Sequence, residues 1–502
     1  MSTQLLRPGA TQEKSDEART SFLVGAITVS NMIKSTLGPS GMLKLLYNAN
    51  GEPIITNDGA TVLKNIVPNG PSAKILINSA QEHGANQGDG TTTLTILTGE
   101  LLQEADRLIF KGAHPYKIII AYRQAFKQAI TKLRSLATTS QSQEEKLSLA
   151  KTTLSSKFSP IELESLSQLA VDLSTRVTDI EMVNIIKIVG GEISESHIDS
   201  GLMLECDVGP GQKTRVENPK VLVVNTALDT DKIKIFGAKA SVTSPKDLER
   251  LEEAERQRMS EKVAAISKHA DVIVNRQIIY DYPTQEFTKR GKVSVERADF
   301  TGVEMLSKVL DGSILSTFDE VSAADIGSCA LFERLRLGGR VFCRFSGLPK
   351  TGACTVVIRG PTKELLDEAE RSLIGAAKVL MGSTGEYICG GGSAEAAASC
   401  AIAGDSEGER AFARALMETT RTLAENAGHS SDDTIDTIIK KNKEGVFTWG
   451  VGAETAECME KLGVKESLSL KEAIWTRAAE ATEMLLRCDG IIKCKPRERV
   501  QE

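Results

Sequence analysis

Four turns in this sequence combine glycine with carboxylate or hydroxyl side chains: TLGPSGM (36–42), TNDGAT (56–61), GDGTTT (88–93) and CGGGSAE (389–395). The chemistry such turns suit is the holding of an anion, because a residue without a Cβ lets backbone amides approach it closely. In GDGTTT the glycines run straight into threonines and then leucines, so the threonine amides open a helix. Unpaired N–H groups and the helix dipole at such an end favour phosphate oxygens. No Gly-Lys-Ser/Thr follows, so this is not a Walker A loop. Asp89, inside the turn, would repel a phosphate unless a cation bridges the two. Mg²⁺, bound by one or two carboxylates plus phosphate oxygens, fits that role. Asp58, in the second turn, could orient a water or share the outer shell of the metal. The plainer alternative for both aspartates is helix N-capping, and any one of these turns by itself is as readily structural.

The elements that must position these turns are helical at both ends of the chain. Ala18, Phe22, Ala26, Val29, Ile33 and Leu37 lie on one helical face, and Gly38-Pro39 predicts its end. Leu94, Leu97, Leu101, Ala105 and Leu108 repeat the pattern after GDGTTT, and a third helix is predicted from about Pro115 to Leu136. From about Lys220 to Gly360 the style changes to β-rich runs: VLVVNT (221–226), DVIVNR (271–276), KVSVER (292–297), VFCRFSG (341–347) and CTVVIRG (354–360). Helical patterns return afterwards. This order suggests an outer, discontinuous domain interrupted by an inserted α/β domain. The segment from Ser244 to His269 is dense in charge of both signs, with only Leu248, Leu251, Met259, Val263 and Ile266 as an apolar line. It reads as a helix with little to bury, either a solvated surface helix or a projecting arm.

Composition narrows the function classes. The 502 residues exceed one compact core, and aromatics are scarce at 4%, so the cores must rest on Leu, Ile, Val and Ala. A net charge of −6 offers no basic field for nucleic acid. No apolar run reaches the roughly 18 residues of a membrane span, and the N-terminus has no signal-peptide core. The 9 cysteines form no CxxC pair and the 5 histidines are dispersed. The expectation is a soluble, cytoplasmic chain with buried thiols and no protein-built zinc site.

The ordered set TLGPSGM, TNDGAT, GDGTTT and CGGG resembles the group II chaperonins nearly end to end. AKTTLSSK (150–157), NRQIIYDYP (275–283) and LDEAERSL (366–373) sharpen the likeness to one subunit type of the eukaryotic cytosolic branch. The resemblance implies a multi-domain chaperonin fold. A mostly helical equatorial domain would combine 1–137 with 393–502, and a small α/β intermediate domain would combine 138–207 with 360–392. An α/β apical domain would fill 208–359, with the arm near 244–269 as its helical protrusion. The family builds double rings of subunits that bind unfolded proteins, actin and tubulin among them in the eukaryotic complex. ATP hydrolysis closes the lid around these clients.

Carried over position by position, the resemblance places Gly38 and Pro39 against the nucleotide, Asp89 on Mg²⁺, and Gly90, Thr91, Thr92 and Thr93 on the phosphates. Gly391, Glu466 and Lys471 fall near the ribose and base. Ser155, Ser156 and Lys157 match a loop that senses the γ-phosphate. Asp58 would orient the attacking water. Its usual partner aspartate is missing, because Gly375 stands there, within ERSLIGAAK. Glycine cannot activate water, and it weakens a helix by about 1 kcal/mol. Ser40, Leu43 and Cys458 are further departures. The expectation is a subunit that binds ATP but hydrolyses it slowly or not at all, with Gly375→Asp restoring turnover if the rest of the site is sound. A non-cycling scaffold with the same fold is the alternative reading.

Overall fold

The computed structural model describes residues 11–47, 51, 53–68, 70–140, 142–228, 245–318, 321–350 and 352–493; the side chains of 11–17, 245, 247–252 and 493 lie outside that description. Two compact units emerge, one from residues 1–171 and 371–502, the other from 172–370.

In the first unit, α1 (Ser15–Ile33) buries Ala18, Phe22, Ala26, Val29 and Ile33, the face that the apolar spacing marks. It stops four residues short of Leu37. A 3₁₀ turn at Lys34–Thr36 follows, tightened by the Thr36 hydroxyl donating to the Ile33 carbonyl at 2.8 Å. An antiparallel hairpin of Lys44–Tyr47 and Pro53–Thr56 leads into α2 (Gly59–Asn65) and α3 (Pro71–Gln87). Next come α4 (Thr91–Phe110) and α5 (Pro115–Ser135), at the places expected. Leu94, Ile96, Leu97, Leu101, Leu102 and Ala105 of α4 are all buried, and the helix packs against α1 and α3. Apolar groups on more than one face make α4 an interior helix, and its first turn is therefore held by neighbours all round. α6 (Gln143–Leu154) completes this half, and α7 (Pro160–Arg176) carries the chain out of the unit.

The second unit holds the β-rich middle. Strands Val293–Val295, Val272–Asn275, Lys220–Val224 and Ile314–Leu315 lie side by side in that order, all parallel, with Gly327–Ser328 antiparallel on Lys220–Val224. α8 (Pro245–Ser267), α9 (Asp281–Lys289) and α10 (Phe300–Leu310) connect them. A four-stranded antiparallel sheet orders Leu202–Leu204, Arg340–Ser346, Leu331–Leu337 and Arg215–Glu217. A three-stranded sheet centres on Cys354–Gly360. Every β-rich run of the sequence is a strand here. The charged arm needs correction: α8 does have something to bury. Met259, Val263 and Ile266 sit in one core with Leu222, Ile273 and Phe287, while residues 253–258 carry the exposed charge. Leu248 and Leu251 have side chains outside the described set, as do Ser244 and the chain ends of the expected equatorial domain.

α11 (Lys363–Gly382) brings the chain back to the first unit, followed by α12 (Ser393–Ala401), α13 (Glu407–Asn426), α14 (Ser431–Lys443), α15 (Met459–Leu462) and α16 (Leu468–Arg487). α13 and α16 close over α4. Between α11 and α12, strand Glu386–Cys389 pairs antiparallel with Lys465–Ser467 and Thr138–Thr139. Of the eight described cysteines, all free, four are buried and one, Cys400, is exposed. No helix among the described residues is long and apolar enough to cross a membrane.

The second unit's core offers a direct stability test. Phe332 and Phe345 are fully buried with ring centroids 5.2 Å apart. Phe345→Ala should cost this unit about 3–5 kcal/mol, read as an earlier transition in urea unfolding followed by far-UV circular dichroism.

Candidate nucleotide site

GDGTTT, TNDGAT and the SSK of 155–157 converge at the N-terminus of α4. Gly88 caps α3 and Gly90 precedes α4, both left-handed with φ of 85°, a conformation that glycine alone adopts without strain. No side chain caps α4, and among the described residues the amides of Thr91, Thr92 and Thr93 have no protein acceptor. Gly59, the first residue of α2, lies so close that a Cβ there would stand 2.3 Å from the Thr92 hydroxyl. Asp58 caps α2, accepting from the Thr61 amide at 3.0 Å and the Thr61 hydroxyl at 2.8 Å. The Asn57 amide group donates to the Ser156 carbonyl, and Lys157 Nζ stands 3.6 Å from Asp58. The Ser155 hydroxyl is turned back onto the Thr152 carbonyl. The capping and functional readings of Asp58 are thus compatible: one carboxylate fixes α2 and faces Lys157.

The two aspartates titrate in opposite directions. Burial acts to raise Asp58, but Lys157, both Thr61 donors and Arg371 together hold it below the usual carboxylate range. Burial pushes Asp89 up and the charge of Asp58 adds to the push; Lys157, the Gly90 amide (2.7 Å) and Lys471 offset only part. A carboxylate kept uncomfortable by its neighbours is a group that a cation would relieve. No cluster of three metal-ligating side chains occurs among the described residues, so a divalent ion at Asp89 would draw its remaining ligands from phosphate and water. That donor set suits Mg²⁺.

A second group forms around CGGG. Gly391 is packed by Met459, whose sulfur would stand 2.5 Å from a Cβ at that position, and its carbonyl accepts from the Val451 amide at 2.9 Å. Lys471, almost fully buried, is clamped between Glu395 (2.7 Å) and Glu466. Burial works against the Lys471 charge, yet the two carboxylates hold its pKa above the usual lysine value. Burial raises Glu466, with Lys471 opposing. Glu395 Oε2 is buried without a partner. Lys471 lowers Asp89 through space, so this group is within charge reach of the phosphate loop. Gly38 and Pro39 are held from another side: Asn426, at the end of α13, donates to the carbonyls of Lys34 and Leu37, both at 2.9 Å, and Thr420 of the same helix donates to the Gly392 carbonyl at 3.0 Å. Among the described residues no hydrogen bond ties Gly38 to GDGTTT. Sequence reasoning missed Asn57, Gly59, Glu395 and Met459, although the first three stand inside turns it had marked.

The matches to known proteins decide the family. The model of the TCP-1/cpn60 chaperonin family matches residues 29–496. The chain belongs to the TCP-1/cpn60 chaperonin family. T-complex protein 1 subunit beta of Saccharomyces cerevisiae is 43% identical over 520 residues, covering 99% of each chain. The Homo sapiens protein of that name is 40% identical over 521 residues, covering 99% of this chain and 97% of its own. That of Dictyostelium discoideum is 39% identical over 528 residues, covering 99% of each.

In this chaperonin Gly375 is not merely a missing side chain. α11 runs unbroken through it, and a Cβ there would stand 2.7 Å from the Gly88 carbonyl oxygen. A Cβ on Gly88 would in turn stand 2.5 Å from the Gly375 carbonyl oxygen. Lys378, one turn on, donates to the Ala85 carbonyl at 2.7 Å at the end of α3. A side chain at 375 would therefore require the Gly88 backbone to give way, so Gly375→Asp meets a packing cost beside the loop. A cleft of about 410 Å³ between Arg123, Glu480, Glu483, Met484 and Arg487 contains none of these residues.

Two outcomes test the charges. Because burial raises Asp89, its ionised form costs stability at neutral pH, a cost that fades as pH falls through the raised folded-state pKa and is gone below the ordinary carboxylate range. Asp89→Asn should therefore raise the nucleotide-free melting temperature at pH 7, by a gain on the order of 1 kcal/mol, and the gain should vanish near pH 3. Lys471→Met leaves Glu395 and Glu466 buried and unpaired, and should cost on the order of 3–5 kcal/mol in thermal or urea unfolding at pH 7.

Proposed function

We propose that this chain is an ATP-binding subunit of a cytosolic double-ring chaperonin, assembled with other subunits and enclosing unfolded proteins while they fold. Family membership and full-length similarity to the beta subunits support the ring and the folding role. The observation that carries the nucleotide reading is the uncapped first turn of α4 beside Asp58, Asp89 and Lys157. The domain layout follows the family: equatorial 1–137 with 393–502, intermediate 138–207 with 360–392, apical 208–359. Actin and tubulin are the clients this reading names, and the cytoplasm is its compartment.

In the mechanism, the Thr91–Thr93 amides receive phosphate oxygens without the need of a lysine in the loop. Asp89 would hold Mg²⁺, which when bound neutralises charge on the phosphates. Asp58, ionised and fixed by Thr61, has the oxygen facing Lys157 left to orient a water. Lys157 rests on Asp58 and is positioned to respond when a further negative charge arrives. The proton of an attacking water has no second carboxylate to go to, since Gly375 supplies none. The chain therefore binds ATP and turns it over slowly, while neighbouring subunits drive the cycle. The intact phosphate loop speaks against a scaffold that never meets nucleotide.

The test uses reassembled rings. A positioned general base contributes about 10²–10⁴-fold, so changing Asp58 of this subunit alone should leave the ring's ATPase rate unaltered, while Asp89→Ala abolishes nucleotide occupancy at this one position. A ring rate that drops with Asp58→Ala here would overturn slow turnover. Gly375→Asp should weaken nucleotide binding rather than speed hydrolysis.

A further inference from the structure

His83, on α3, is fully buried, and among the described residues neither ring nitrogen has a hydrogen-bond partner. Unsatisfied polar atoms in a folded interior are uncommon and call for a reason. The ring lies directly under the phosphate loop: a Cβ on Gly90 would stand 3.3 Å from its Nε2 and 2.4 Å from the Ile474 side chain on α16. Gly90 is thus gripped between His83 and Ile474. The Asp89 backbone carbonyl faces the ring, short of a well-formed hydrogen bond. Whichever ring nitrogen is protonated, the imidazole has an N–H to give.

We propose that His83 is a positioning residue for the phosphate loop, its N–H completing a hydrogen bond to the Asp89 carbonyl when the loop closes on a nucleotide triphosphate. The proposal rests on the nucleotide reading above and adds a residue that does not touch the nucleotide. The bond fixes the peptide between Asp89 and Gly90, and with it the direction of the Asp89 carboxylate and of the first α4 amides. α3 therefore contributes to affinity through the shape of the loop.

The experiment compares full-length wild type, His83→Leu and His83→Gln, titrated with ATP and Mg²⁺ by calorimetry and melted with and without nucleotide. His83→Leu keeps the packing and removes the donor, and should bind about tenfold more weakly. His83→Gln retains an N–H and should stay within about twofold of wild type, while all three melt alike without nucleotide. Unchanged affinity in His83→Leu overturns the role. Equal losses in both variants, matched by lower nucleotide-free melting temperatures, also overturn it, since packing alone would then explain the residue. A wild-type chain that binds no ATP overturns the nucleotide reading itself, and this proposal with it.

Discussion

Close backbone approach around the first turn of α4 is the constraint on which the rest of the first unit depends. Gly59 lies on Thr92, Gly88 on Gly375, and Gly90 between His83 and Ile474. A Cβ at any of the three glycines would come within 3 Å of at least one neighbour, nearer than side-chain carbons are found to pack. Four stretches of chain remote in sequence can meet at one helix end only because those positions have no side chain. The same economy leaves the first α4 amides without a protein acceptor among the described residues, and unpaired amides at a helix N-terminus suit phosphate.

Charge is arranged around that packing. Asp58 is satisfied twice by Thr61 and faces Lys157, whereas among the described residues Asp89 receives only the Gly90 amide. Two similar carboxylates are thus pushed apart in acidity by their surroundings, one comfortable as an anion and one not. Behind them, Lys471 compensates two buried carboxylates at once, and Glu395 retains an oxygen with no partner. Removing the lysine would strand both acids, so the clamp fixes the wall of CGGG and Lys465–Ser467 in one geometry. Gly375 permits the close contact of α11 with Gly88.

In the second unit the physics is simpler. Parallel strands Lys220–Val224 and Val272–Asn275 are buried on both faces, as their unbroken apolar runs require. α8 shows why charge density misleads: three apolar residues at spacings of four and three suffice to seat the last two turns of a helix whose preceding residues are solvated.

The sequence by itself determined a good deal. Apolar spacing placed α1, α4 and α5, β-rich runs placed the strands of the second unit, and the glycine turns with their aspartates marked the candidate site, because these signals are local and depend on residue type alone. The end of α1 fell at Ile33 because a Thr36 side chain competes for the helix carbonyl, a choice settled by geometry. Only the tertiary structure decided that Lys157 meets Asp58, that Glu395 shares Lys471 with Glu466, that His83 supports Gly90, and that Gly375 abuts Gly88. Each of those contacts joins residues far apart along the chain, and nothing in a one-dimensional pattern encodes which distant glycine will face which.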